Sequence, residues 1–201
     1  MIRLLALGDS YTVGEGVNWR ERWPERLAHL LRIEGFGVEE PDVIAQTGWT
    51  TDELSAGIDR MGPRGPYALV TLMIGVNNQY RGRDSEEYRR EFVALLERSR
   101  DLAGGRADHV LVLSIPDWSV TPFAEGRDRA RIAGEIDRFN AINHEEAERL
   151  GARYLDVTTI SRRTVSESHW FAPDGLHPGE RMHLEWAKAA VPASVAILRH
   201  H

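Results

Sequence analysis

The chain has 201 residues, 42% hydrophobic and 28% charged, which is the composition of an ordinary globular protein and not of a disordered or membrane-spanning one. Its formal net charge of −6 argues against a nucleic-acid partner, which needs clustered basic residues. With no cysteine, disulfides, thiolate catalysis and Cys-ligated metals are excluded.

This length suits one domain, read as 1–201. Ile2–Leu7 is too short for the apolar region of a signal peptide and runs straight into a motif at Gly8, so a cytoplasmic location is expected. A chain whose leader had been removed would read the same, and His200 and His201 are compatible with the stub of a tag. No apolar run reaches the length of a bilayer span.

Short apolar runs alternate with longer amphipathic stretches, the pattern of a parallel sheet with helices on both faces. The strands are expected at Ile2–Leu7, Val38–Ala45, Tyr67–Ile74, His109–Ile115 and Arg153–Val157. The third and fourth are nearly unbroken apolar runs, as central strands covered on both sides should be. Helices are expected at Glu21–Glu34, after Thr50, from Asp84 to Gly104, at Arg127–Leu150 and at Gly179–Leu198. Thr50 with Glu53, and Asp84 with Glu87, have the spacing of capping boxes. These elements make a three-layer α/β/α domain with right-handed crossovers, whose ligands gather outside the carboxyl ends of the strands.

Four motifs fall in those loops. Gly8-Asp9-Ser10-Tyr11 puts a serine in the turn after the first strand. Asp9 is assigned to holding that turn. Gly48, after the second strand, stands at a helix entry where unpaired N–H groups and a missing side chain admit a substrate. Gly75-Val76-Asn77-Asn78 carries amide donors into the loop after the third strand. Asp174-Gly175-Leu176-His177 places a carboxylate three residues before an imidazole, so that Asp174 accepts from Nδ1–H and Nε2 is left free as a base. Each motif alone has an ordinary reading as a turn, a helix entry or a polar loop; what distinguishes the set is its order along one sheet edge. His169, in the loop before Asp174, reads as a surface histidine.

In these four blocks the chain resembles the SGNH/GDSL hydrolases over the whole domain. The resemblance implies a flavodoxin-like, five-stranded parallel sheet of order 2-1-3-4-5. It also implies Ser10 as nucleophile, His177 as base and Asp174 as its orienting group. The oxyanion hole would comprise the backbone N–H of Ser10 and Gly48 and the side-chain amide of Asn77. One position departs from the family pattern: its third block usually ends Asn-Asp, whereas Asn78 follows Asn77 here. That puts in doubt any loop-ordering hydrogen bond made by the Asp, although an amide oxygen can accept the same bond.

Trp49, Asn78, Trp118, Trp170 and Phe171 border the expected centre and are taken as pocket-lining, with loop packing as the equal alternative for the aromatic rings. Short loops after the first two strands leave little material for a lid, which favours small esters as substrate. Thioesters, lysophospholipids and acetylated sugars share the chemistry. No metal and no cofactor are expected. Two other classes remain: a flavodoxin-like cofactor binder, disfavoured by the missing Gly-rich phosphate loop, and a catalytically silent binding domain of the same fold.

Overall fold

The computed structural model describes residues 1–163 and 169–199; His200 and His201 lie outside this range. Five strands pair in parallel: β1 (Leu4–Gly8), β2 (Asp42–Ala45), β3 (Leu69–Met73), β4 (Val110–Leu113) and β5 (Arg153–Leu155). Their order is β2-β1-β3-β4-β5, the order that the resemblance to the SGNH/GDSL hydrolases implies. Every residue of β1, β3 and β4 is buried, whereas β2 and β5 at the edges are only partly covered. Covered faces explain the unbroken apolar runs of the central strands.

The strands are shorter than expected. Ile2 and Val38 touch through an isolated bridge, and Pro41, which has no N–H, precedes the ladder of β2.

The helices are α1 (Ser10–Val13), α2 (Trp23–Ile33), α3 (Thr51–Met61), α4 (Val76–Tyr80), α5 (Ser85–Leu102), α6 (Arg129–Leu150), α7 (Thr158–Ser161) and α8 (Glu180–Leu198). On one face α2 packs against α8; on the other, α3, α5 and α6 pack side by side. Trp23 and Trp186, fully buried, fill the α2/α8 layer. Burying a large apolar side chain contributes about 1.5–3 kcal/mol, and Leu27, Leu31 and Met182 are buried with the two indoles in that layer.

Caps set the helix starts. Thr50 makes the full capping box, its backbone N–H donating to Glu53 Oε2 at 2.9 Å. Asp84 accepts from the N–H groups of Glu86 and Glu87, each at 3.0 Å. Pro24 occupies the first turn of α2, where its lacking N–H costs nothing. The short helices α1, α4 and α7 were not expected: four or five residues are too few to show a helical period. Two of them carry the candidate chemistry.

Candidate active site

Ser10 opens α1 at the carboxyl end of β1, in a helical turn rather than a plain loop. Asp9 is the N-cap, accepting the Tyr11 N–H at 3.0 Å. Gly8 must be glycine, because a Cβ there would stand 2.6 Å from the Met73 carbonyl oxygen on β3 and closer still to Thr12. Gly14 then closes the turn in the left-handed region, its N–H returning to the Ser10 carbonyl at 3.0 Å. The result is a clamped turn that leaves Ser10 5% exposed. Burial pushes the Asp9 carboxyl up to about 7, against the pull of the Tyr11 N–H, since no cation faces it among the described residues.

Residues 169–179 form a hairpin-like loop ahead of α8. Phe171 and Pro178 bridge antiparallel, Ala172 N–H donates to the His177 carbonyl at 2.8 Å, and Gly179 N–H donates to the Trp170 carbonyl at 2.8 Å. At its tip Asp174 Oδ2 lies 2.5 Å from His177 Nδ1. Asp174 Oδ1 accepts from the backbone N–H groups of Leu176 and His177, both at 2.9 Å. Partial burial would raise the Asp174 carboxyl, but the bonds from His177 and the two backbone groups outweigh it and hold it below the usual carboxylate range. The Tyr11 ring, next to Ser10, packs edge-on against the His177 ring with centroids 6.1 Å apart, and this contact brings the loop over the first motif. Burial, reinforced by the Asp9, Asp117 and Asp174 carboxylates, raises the Tyr11 hydroxyl strongly, so it stays neutral beside the imidazole.

The second and third motifs are fastened together by hydrogen bonds that the sequence did not reveal. Asn77 lies inside α4, and its Nδ2 donates to the Trp49 carbonyl at 2.9 Å. Arg81, just past α4, donates from Nη2 to the Gly48 carbonyl at 2.7 Å and pairs with Glu53 at 3.3 Å. Gly48 has φ of 87°, a conformation that favours glycine. Gly75 has φ of 128°, and a Cβ on it would meet the Tyr88 hydroxyl at 2.5 Å. Only glycine therefore lets β3 turn into α4 against Tyr88.

The expected pocket is revised in part. Asn78 is wholly buried and offers no surface to a ligand, because its amide is turned into the joint with α3. The Trp49 ring packs on Gly57 of α3, in a cleft that also includes Val43 and Met61. The Trp170 ring is buried and anchors its loop, while Phe171 is half-buried against the core. Trp118 is largely buried but lines a cleft beside α4. His169 is exposed, with φ of 68°, and its carbonyl accepts from Arg181 N–H. Among the described residues no group of three or more His, Asp or Glu side chains is placed to hold a metal ion, and no helix is long and apolar enough to cross a membrane.

The chain belongs to the GDSL-like lipase/acylhydrolase family, whose model matches residues 6–184. Its fold is similar to that of TesA, at 19% identity and a TM-score of 0.75 over 98% of this chain and 99% of that one. It is likewise similar to the psychrotrophic esterase EstA from Pseudoalteromonas sp., at 16% identity and a TM-score of 0.68 over 100% of both chains. A third similar structure is Axe2, an acetylxylan esterase from Geobacillus stearothermophilus, at 18% identity and a TM-score of 0.71 over 96% of this chain and 94% of that one. No curated protein sequence matches the chain significantly.

Proposed function

We propose that the chain is a serine esterase that hydrolyses small carboxylic esters through an acyl-enzyme on Ser10. The observation that carries this reading is the 2.5 Å contact between Asp174 Oδ2 and His177 Nδ1. It commits the Nδ1 proton to the carboxylate and leaves Nε2 as the acceptor a serine nucleophile needs.

His177 Nε2 takes the hydroxyl proton as Ser10 Oγ attacks the carbonyl carbon. Asp174, held ionised, stabilises the imidazolium that results. The negative charge on the substrate oxygen is met by the N–H groups of Ser10 and Gly48 and by Asn77 Nδ2. That amide carries two N–H donors and spends one on Trp49, so one remains for the oxyanion. His177 then protonates the departing alkoxide. In the second half a water gives a proton to His177 and attacks the acyl carbon, and Ser10 recovers its proton as the acid leaves.

Small acyl groups are favoured by the short connections after β1 and β2, and the esterase and acetylxylan esterase among the similar structures act on esters. The test is a panel of esters varying in acyl length and leaving group, with a thioester and an acetylated sugar included and Ser10→Ala as the blank. Turnover of short esters that Ser10→Ala abolishes supports the reading. Equal rates in the variant overturn it, as does fluorophosphonate labelling at a serine other than Ser10.

A further inference from the structure

Between the beginnings of α5 and α6, at the end of the α4 helix that contains Asn77, lies a cleft of about 670 Å³. It sits outside the carboxyl ends of β3 and β4, where ligands of such sheets gather. Tyr80 and Trp118 wall it, their rings edge-to-face at 5.5 Å. Tyr80 follows Asn77 by three residues in α4, a rise of about 4.5 Å along the helix. On the other side Phe123, which packs on Trp118 with centroids 6.2 Å apart, donates its N–H to the Gly175 carbonyl at 3.0 Å. The aromatic wall thus joins the Asn77 helix to the loop that carries His177.

The floor is a fixed polar chain. Trp118 Nε1 donates to Gln79 Oε1, Gln79 Nε2 donates to Glu135 Oε2, and Arg131 Nε donates to Glu135 Oε1, each at 2.8 Å. Arg83 is likewise engaged, by Asp52 at 2.8 Å. Arg127 and Arg138, both in the lining, make no ion pair among the described residues, and of the two Arg127 is the one set on aromatic rings, its guanidinium carbon 4.5 Å from the Phe123 centroid and 5.7 Å from that of Trp118. Stacking holds the guanidinium plane while its edge N–H groups stay available as a two-pronged donor.

We propose that this cleft receives the alcohol portion of the ester and that Arg127 selects alcohols bearing a carboxylate or similar anionic group. The inference rests on the reading of Ser10 as nucleophile with a small acyl group: the acyl side needs little room, so the spacious cleft is left to the alcohol side. A carboxylate laid against the Arg127 fork makes two parallel charge-assisted bonds, a geometry a lysine does not reproduce.

The test compares 4-acetoxybenzoate with 4-acetoxybenzamide, which share the acetyl group and the ring and differ in charge. The wild-type ratio of kcat/KM, carboxylate over amide, is expected to fall about tenfold in Arg127→Gln and less in Arg127→Lys, with the change in KM, and to fall with added salt in the wild type. An unchanged ratio in a well-folded Arg127→Gln protein, or a wild-type preference for the amide, overturns the proposal. A second arm does not need turnover. Ser10→Ala protein titrated calorimetrically with each intact ester should bind the carboxylate about tenfold tighter, and Ser10→Ala/Arg127→Gln should not; equal binding of the two esters by Ser10→Ala overturns the proposal. Hydrolysis that persists in Ser10→Ala sinks the nucleophile reading alone, and the binding arm still decides the role of Arg127.

Discussion

Asn78 and Thr51 hold each other at both ends of one amide: Thr51 N–H donates to Asn78 Oδ1 at 3.1 Å, and Asn78 Nδ2 donates to Thr51 Oγ1 at 2.7 Å. The Thr51 hydroxyl then donates its single proton to Glu91 Oε2. The amide that replaces the family's usual carboxylate at this position is therefore the start of a directed chain from α4 through α3 to α5. It ties the third motif to the helix that begins just after Gly48.

A carboxylate at residue 78 would break that direction, because it and Glu91 would compete for one hydroxyl proton. Asn78→Asp is expected to lower stability by about 1–3 kcal/mol at pH 8, the cost of an unsatisfied buried group. Glu91→Gln in the same protein should recover part of the loss. Urea titrations of the two single variants and the double measure the coupling; strictly additive effects would show that the chain of bonds is not directed as described.

Asn77 and Asn78 are neighbours on one helical turn, about 100° apart, so their amides face different ways. With the proposed roles, Asn77→Ala lowers kcat about 10²–10³-fold with little change in KM, as loss of an oxyanion donor does. Asn78→Ala should act chiefly on the thermal midpoint. A larger kcat loss in a folded Asn78→Ala protein would assign the oxyanion amide to the wrong residue.

Asp9 offers a pH signature. Its carboxyl is raised by burial to about 7 from the ordinary 3.8, so the stability it contributes is full below the ordinary value and is lost as pH rises through 7. Asn keeps the side-chain acceptor for Tyr11 N–H without the buried charge. Asp9→Asn should match the wild type near pH 4 and become progressively more stable up to pH 8, at about 1.4 kcal/mol for each unit of displacement. A stability difference independent of pH would mean that Asp9 titrates normally.

His183 acts in the opposite sense. Its Nδ1 accepts the N–H of Trp23 at 3.3 Å at the start of α2, and burial, followed by the charges of His177, Arg22 and Arg26, pushes it down to about 3. The unfolded chain then binds the extra proton, so this contribution is complete above the ordinary 6.5 and is lost as pH falls toward 3. In an Asp9→Asn background the acid limb of stability should steepen, and His183→Gln should flatten it. Denaturation midpoints between pH 4 and 7 provide the check; an unchanged limb in the double variant would place the acid sensitivity elsewhere.

What the sequence determined by itself was whatever depends on near neighbours in the chain. The alternation of apolar runs and amphipathic stretches carried the sheet and its crossovers, and the Thr50–Glu53 box and the Asp84 cap fixed two helix starts. The Asp174–His177 pair was legible because three residues separate its members and one tight turn closes it. Asp9 as a turn-holder was legible for the same reason, its partner being Tyr11. The tertiary structure alone decided the rest, where the partners lie far apart in sequence. It turned Asn78 into the core toward Thr51, sent the Trp49 ring onto Gly57, recruited Arg81 to Gly48 and stacked Arg127 on Phe123 and Trp118 beside a cleft that no local pattern announces. A motif states which atoms are available within a turn of chain; which way a side chain points is set by the volume and hydrogen-bond needs of the neighbours that folding brings to it.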